Sequence, residues 1–258
     1  MTAEPIILVD QVAQRFGART IFRDVSFTVA SGEVFVILGG SGCGKSTLMK
    51  QLIGLLKPST GRIEIFGRAI TDGEAALRDV QPRLGVMFQS GALFGSMSLL
   101  ENVMLPLEMF TELPPEGREA VARVKLGLVG LGDAAALMPA EISGGMARRA
   151  GIARAMALDP PLLLLDEPSA GLDPITSAGL DRLILDLRQD LGATFVVVTH
   201  ELASILAIAD RCIMLDRGAY ADAGGVIAEG DPRVLRDTST HPIVRGFFRR
   251  ELPVAVAA

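Results

Sequence analysis

Apolar positions in this chain follow two rhythms. Short alternating or continuous runs open it: "IILV" from Ile6, "VSFTV" from Val25, "VFVIL" from Val34 and "RIEIF" from Arg62, with Gly, Ser or Asp at the breaks. That pattern predicts strands. Within "VSFTV", Val25, Phe27 and Val29 share one face and Ser26 and Thr28 the other, as in an antiparallel strand with one wet side. After "VFVILGG" the spacing turns helical, with Leu48, Met49, Leu52, Ile53 and Leu56 forming a stripe that Lys57-Pro58 ends, so a strand feeds a helix through a glycine loop.

Further on, "LLLL" at 162–165, a stripe of Leu180, Leu183, Ile184, Leu187 and Leu191, and "FVVV" at 195–198 make a strand, helix, strand unit of the parallel kind. Between these blocks, residues from about 90 to 156 read as helix broken by Pro and Gly, with no strand. The expectation is an α/β fold: a mostly parallel sheet, an antiparallel β subdomain at the front and a helical subdomain inserted over about 90–156. One domain would cover 1–235, and 236–258, where periodicity fades, would be a C-terminal helix or tail.

Composition narrows the class. The chain of 258 residues carries a net charge of −5 with its basic residues scattered, which disfavours nucleic acid as a partner. Two cysteines, Cys43 and Cys212, with no metal-ligand spacing, make a disulfide framework or a zinc site improbable and suggest a reducing compartment. Mean hydropathy is high at +0.40. Yet the apolar runs are far shorter than the roughly 20 residues that span a bilayer, and "MTAEPIILVD" lacks the basic, apolar build of a signal peptide. Any membrane connection would go through a partner.

The chemistry gathers in three places. "GGSGCGKS" fits G-x-x-x-x-G-K-[ST] between a strand and a helix, the setting of a phosphate-binding P-loop. Backbone N–H groups of Gly39, Gly40, Ser41, Gly42, Cys43 and Gly44 would curl around phosphate oxygens, Lys45 would neutralise them, and Ser46, followed by Thr47, would offer a hydroxyl to Mg²⁺. In "LLLLDEP", Asp166 at a strand's carboxyl end can serve the metal and Glu167 can polarise an attacking water. His200 ends the next strand at the same sheet edge. A third feature, "ISGGM" from Ile142, is a second glycine turn opening a helix; alone, Ser143 there is an ordinary N-cap.

The ordered set "GGSGCGKST", "FQSGALF", "ISGGM", "LLLLDEPSAGLDP" and "VVVTH" resembles the nucleotide-binding subunit of an ABC transporter over residues from about 5 to 235. That resemblance implies a RecA-like P-loop NTPase core, ATP and Mg²⁺ as cofactors, and a head-to-tail homodimer around two ATP. Ser143, Gly144 and Gly145 of each subunit would face the ATP held by the other's P-loop. It further implies that Phe16 stacks on adenine, that Gln89 links metal and attacking water to the membrane partner, that Asp173 crosses the dimer interface, and that His200 contacts the γ-phosphate. Met146 departs from the glutamine usual after S-G-G.

Within the family, "FQSGALF", "SGGMARRAGIARA" and "DPIT" are most similar to the ATPases of phospholipid-trafficking systems of the Mla type. These pair a permease with an MCE-domain protein, in some cases with a STAS-type subunit, and work at the cytoplasmic face of the inner membrane. The Met- and Phe-rich stretch from Ser90 to Phe110 would be the permease-docking patch. Three other readings compete: the ATPase of another single-cassette ABC transporter, a soluble ABC ATPase outside transport, and a P-loop phosphotransferase. A soluble, non-transport ABC ATPase is disfavoured by the single cassette and acidic balance, and a P-loop phosphotransferase leaves "ISGGM" and "VVVTH" unexplained.

Overall fold

The computed structural model describes residues 4–218 and 224–250. The chain opens with an antiparallel pair, β1 (Ile7–Phe16) and β2 (Arg19–Val29), then enters a fully buried strand, β3 (Val34–Gly39), and a helix, α1 (Lys45–Leu52). β4 (Thr60–Ile65) and β5 (Arg68–Ala69) rejoin the opening pair in an antiparallel sheet of order β2-β1-β4-β5. α2 (Glu74–Val80) and β6 (Leu84–Met87) precede three helices, α3 (Leu99–Phe110), α4 (Pro115–Leu128) and α5 (Gly144–Ala155). Then follow β7 (Leu162–Asp166), α6 (Pro174–Leu191), β8 (Thr194–Val198), α7 (Leu202–Ile208), β9 (Arg211–Asp216), β10 (Gly225–Gly230), α8 (Pro232–Thr238) and α9 (Pro242–Arg249).

The second sheet has the order β10-β9-β3-β8-β7-β6 and is parallel except for β10. The middles of its inner strands are unbroken apolar runs because both faces are covered, with polar residues such as Asp166, Thr194, Arg211 and Asp216 only at strand ends. Val34, Val36 and Leu38 of β3 join the core beneath α3 to α6, whereas Phe35 and Ile37 face α1 and the antiparallel sheet. β7 and β8 split the same way: Leu163, Leu165, Phe195 and Val197 on one side, Leu162, Leu164, Val196 and Val198 on the other. The period of two thus builds two cores on one sheet.

Some details differ from the pattern reading. α1 ends at Leu52, with Gly54 in a left-handed conformation, so Leu56 lies beyond the helix. Leu191, the last residue of α6, is 43% exposed because Gly192 turns the chain away at once. α2 and β6 carry no strong periodicity, being seven and four residues long. In the C-terminal stretch, α9 seats Val244 and Phe248 in the main core; the remaining tail, 251–258, lies outside the described residues.

Candidate nucleotide-binding site

β3, β8 and β7 are neighbours and parallel, so the loops at their carboxyl ends share one sheet edge. The P-loop leaves β3 there. Gly39 has φ 149°, and a Cβ on it would lie 2.2 Å from the Leu215 carbonyl oxygen, so no other residue fits. Gly44 is a left-handed N-cap without side-chain capping, which leaves the first N–H groups of α1 to an external acceptor. Lys45 Nζ donates to the carbonyls of Gly39 (2.8 Å) and Gly40 (3.2 Å). Ser41, Gly42 and Ser46 are exposed, and Thr47 is half-buried. Cys43 is buried, and burial pushes its thiol up, keeping it a neutral packing group.

At the end of β7, burial raises the Asp166 carboxyl; the neighbouring Glu167 charge adds to this, while Lys45 and Lys50 oppose it. Glu167 adopts a left-handed backbone (φ 48°), pinned by its N–H donating to the Val198 carbonyl at 2.8 Å. That conformation turns its largely buried carboxylate to His200, whose Nδ1 is 2.9 Å from Oε1. Asp166 Oδ1 and Glu167 Oε2 are buried and accept no hydrogen bond from the protein. Carboxylate oxygens on two consecutive residues, each out of water and lacking a donor, suit a bound cation and an ordered water. The residues therefore fit Mg²⁺.

A second group forms around α5. Ser143 caps that helix through its Oγ, which accepts from Met146 N at 3.2 Å, and both Ser143 and Gly144 are exposed. A Cβ on Gly145 would come within 2.6 Å of Thr176 Cγ2, so the glycine lets α5 approach α6. Asp173 is the N-cap of α6, accepting from Ile175 N and Thr176 N at 3.0 Å each, and the Thr176 bonds hold its carboxyl low. Arg148 Nη2 donates to the Ala170 carbonyl at 2.7 Å, tying the loop that leads to Asp173 onto α5. Among the described residues, no hydrogen bond joins Ser143 to residues 39–46.

Asp166, Glu167, His200 and the P-loop therefore form one group, and Ser143, Gly144, Gly145 and Asp173 another. Gln89 stands exposed in a tight turn, Gln89–Gly91, after β6. Phe16, at the end of β1, is 51% exposed and so is no core residue. Two residues escaped the sequence reading: Asn102, fully buried in α3, and Arg154 of α5, which both bind the backbone that follows Gln89. A lone asparagine among the apolar residues of α3 is the signal that could have found the first.

Residues 22–170, which hold the P-loop, both carboxylates and the Ser143 turn, match the family model described as ABC transporter. This chain belongs to the ABC transporter ATP-binding family. Its sequence is 42% identical over 254 residues to the probable ribonucleotide transport ATP-binding protein mkl of Mycobacterium tuberculosis, spanning 97% of this chain and 69% of that protein. To the intermembrane phospholipid transport ATP-binding protein MlaF of Escherichia coli it is 44% identical over 222 residues, spanning 84% and 82%. The methionine import protein MetN of Brucella abortus is 43% identical over 226 residues, spanning 87% and 61%.

Solved ABC cassettes share the fold. A dimeric post-hydrolysis state of the cassette MJ0796 with ADP and Pi superposes with a TM-score of 0.78 at 30% identity, covering 87% of this chain and 98% of that one. CbiO1 of Clostridium perfringens gives 0.80 at 27% identity, covering 91% and 94%. The protein is an ABC ATPase, the ATP-using subunit of a transporter. None of its described helices is long and apolar enough to cross a membrane.

Proposed function

We propose that this ABC ATPase drives a permease that moves phospholipid or other hydrophobic cargo, working as a head-to-tail homodimer at the cytoplasmic face of the inner membrane. An MCE-domain protein, and in some assemblies a STAS-type subunit, would complete the complex. Relatives within two percentage points of the same identity are named for ribonucleotide and methionine transport. What favours lipid is the MlaF match, which spans 82% of that protein, together with the "SGGMARR" signature in which Met146 replaces an amide.

In this reading the P-loop N–H groups and Lys45 hold the β and γ phosphates. Phe16 offers its exposed ring to adenine. Ser46, Asp166 and Gln89 would hold Mg²⁺, which supplies positive charge to the transferring phosphoryl group. Glu167 polarises the attacking water through the oxygen that the protein leaves unbonded, while His200 fixes the other oxygen and contacts the γ-phosphate. Ser143, Gly144 and Gly145 of the partner subunit close over the same phosphate, and Asp173 meets the partner alongside them.

The permease-docking surface would be the exposed apolar group beside Gln89. Phe94, Met109 and Phe110 are 51%, 66% and 47% exposed, next to a groove of about 160 Å³ lined by Val86, Pro106 and Leu158. Leu93, by contrast, packs partly against the core and the Phe94 ring lies 5.8 Å from the Arg154 guanidinium, so Met109 is the cleaner site for a probe. Met109→Glu is expected to release the ATPase from membranes with an unchanged melting temperature, because a carboxylate buried without a partner at an apolar contact is costly. Retention on washed membranes would overturn the docking assignment. Purifying the native complex in detergent and analysing bound small molecules by mass spectrometry tests the cargo. Phospholipid is the expected result, whereas a complex with methionine or a nucleotide and no lipid would refute it.

A further inference from the structure

Arg154 is a half-buried cation with no anion. Its guanidinium is partly desolvated, which lowers its pKa, yet no carboxylate pairs with it among the described residues. Its contacts go instead to the loop after Gln89 and its support: Nη2 donates to the Gly91 carbonyl at 3.0 Å and Nη1 to the Ala92 carbonyl at 2.9 Å, the guanidinium lies 5.8 Å from the Phe94 ring centre, and Asn102 Oδ1 of α3 is 3.5 Å away. Holding an unpaired charge partly out of water has a cost, and lysine could not span two carbonyls with a planar fork. The arrangement needs a reason beyond packing.

The gripped residues supply one. Gly91 and Ala92 are consecutive left-handed residues, at φ 78° and 47°, and for alanine that conformation is strained. The turn lies two residues after Gln89, so its conformation sets where Gln89 points. On one side it is seated against α5, because a Cβ at Gly91 would lie 2.5 Å from the Ala147 carbonyl oxygen. Beyond it, Asn102 completes the hold. Its Nδ2 donates to the carbonyls of Phe94 (3.1 Å), Met97 (3.0 Å) and Ser98 (2.9 Å), and its Oδ1 accepts from Phe94 N at 2.8 Å.

We propose that Arg154 is a positioning residue for Gln89: a latch on the signature helix that holds the strained Gly91–Ala92 turn in the conformation that presents Gln89 to the site. The proposal rests on the role given to Gln89 above. Because Arg154 sits on the helix that Ser143 caps, the latch also makes the loop beside the docking patch and the signature move as one body.

ATP turnover of the purified full-length dimer tests this, with melting temperature as a folding control. Arg154→Gln is expected to lower kcat by about tenfold and leave KM for ATP within about twofold, since the P-loop is untouched. Adding Ala92→Gly should restore about threefold, because glycine holds the left-handed turn without a latch. A merely structural arginine would not be rescued by a glycine on an exposed loop. Absence of rescue, or a rise in KM with kcat intact, overturns the proposal. In a Gln89→Ala background, Arg154→Gln should add little, as expected for residues acting through one another; a full tenfold further loss also overturns it. Should Arg154→Gln fail to fold, Arg154→Lys, which keeps the charge and loses the fork, carries the same series. If Gln89→Ala itself turns over like wild type, the role of Gln89 falls and the latch with it. If Gln89→Ala is slow and the Arg154 variants are not, the latch alone fails.

Discussion

Glu167→Gln is expected to cut ATP turnover by about a hundredfold or more while ATP binding survives, and to trap the protein as an ATP-bound dimer. The magnitude is that typical of losing a general base or water-orienting group. The geometry makes the substitution clean. Glutamine is isosteric, the left-handed backbone at residue 167 is held by the Val198 carbonyl rather than by the side chain, and Oε1 keeps a ring nitrogen of His200 for a neighbour. What changes is the buried Oε2, which lacks a protein donor and is the position from which a carboxylate could draw a proton from water. An amide there is neutral, so a desolvated charge is removed and the melting temperature should hold or rise. Phosphate release and size-exclusion chromatography with ATP provide the readouts. Turnover near the wild-type rate would remove Glu167 from the mechanism and shift attention to His200.

The parts of this site proposed to hold phosphate and metal were legible because their chemistry is local. A loop of N–H groups needs glycines in sequence, and a strand-end carboxylate needs only the apolar run that buries the strand, so Gly39 to Ser46 and "LLLLDEP" announce themselves. The pairing of Glu167 with His200 was foreshadowed only as a shared sheet edge; the 2.9 Å contact depends on a backbone outlier that no pattern encodes. Arg154 was invisible for a different reason. Its partners lie 52 to 63 residues away and are mostly main-chain carbonyls, which any sequence supplies. In the fold, the double-sided burial of β3, β7 and β8 was plain from their unbroken apolar runs. α2 and β6 are too short for a period to show, and α9 is a single pair of turns whose burial comes from distant packing.

The remaining question is why a chain with one P-loop carries a second glycine turn, and a mixed dimer answers it. Ser143 and Gly144 are exposed at the start of α5, and no bond joins Ser143 to the protein's own P-loop among the described residues. Dimeric structures are known among similar cassettes. If the turn serves the partner's ATP, each nucleotide site is built from one subunit's Lys45 and the other's Ser143. Ser143→Asp is the informative change, because aspartate caps a helix as well as serine does, leaving α5 intact, yet sets a carboxylate against the γ-phosphate. In a Glu167→Gln background, the Ser143→Asp homodimer should trap little ATP, and so should the Lys45→Ala homodimer. Mixing the two creates dimers in which one site has both native residues and the other has neither, so the mixed dimer should trap a single ATP where each parent traps almost none. A site completed within one chain predicts the opposite, since every subunit of the mixture would carry a defect in its own site. Tagging the two variants differently and counting nucleotide per doubly tagged dimer separates these outcomes, and an empty mixed dimer would show that the Ser143 turn does not act across the interface.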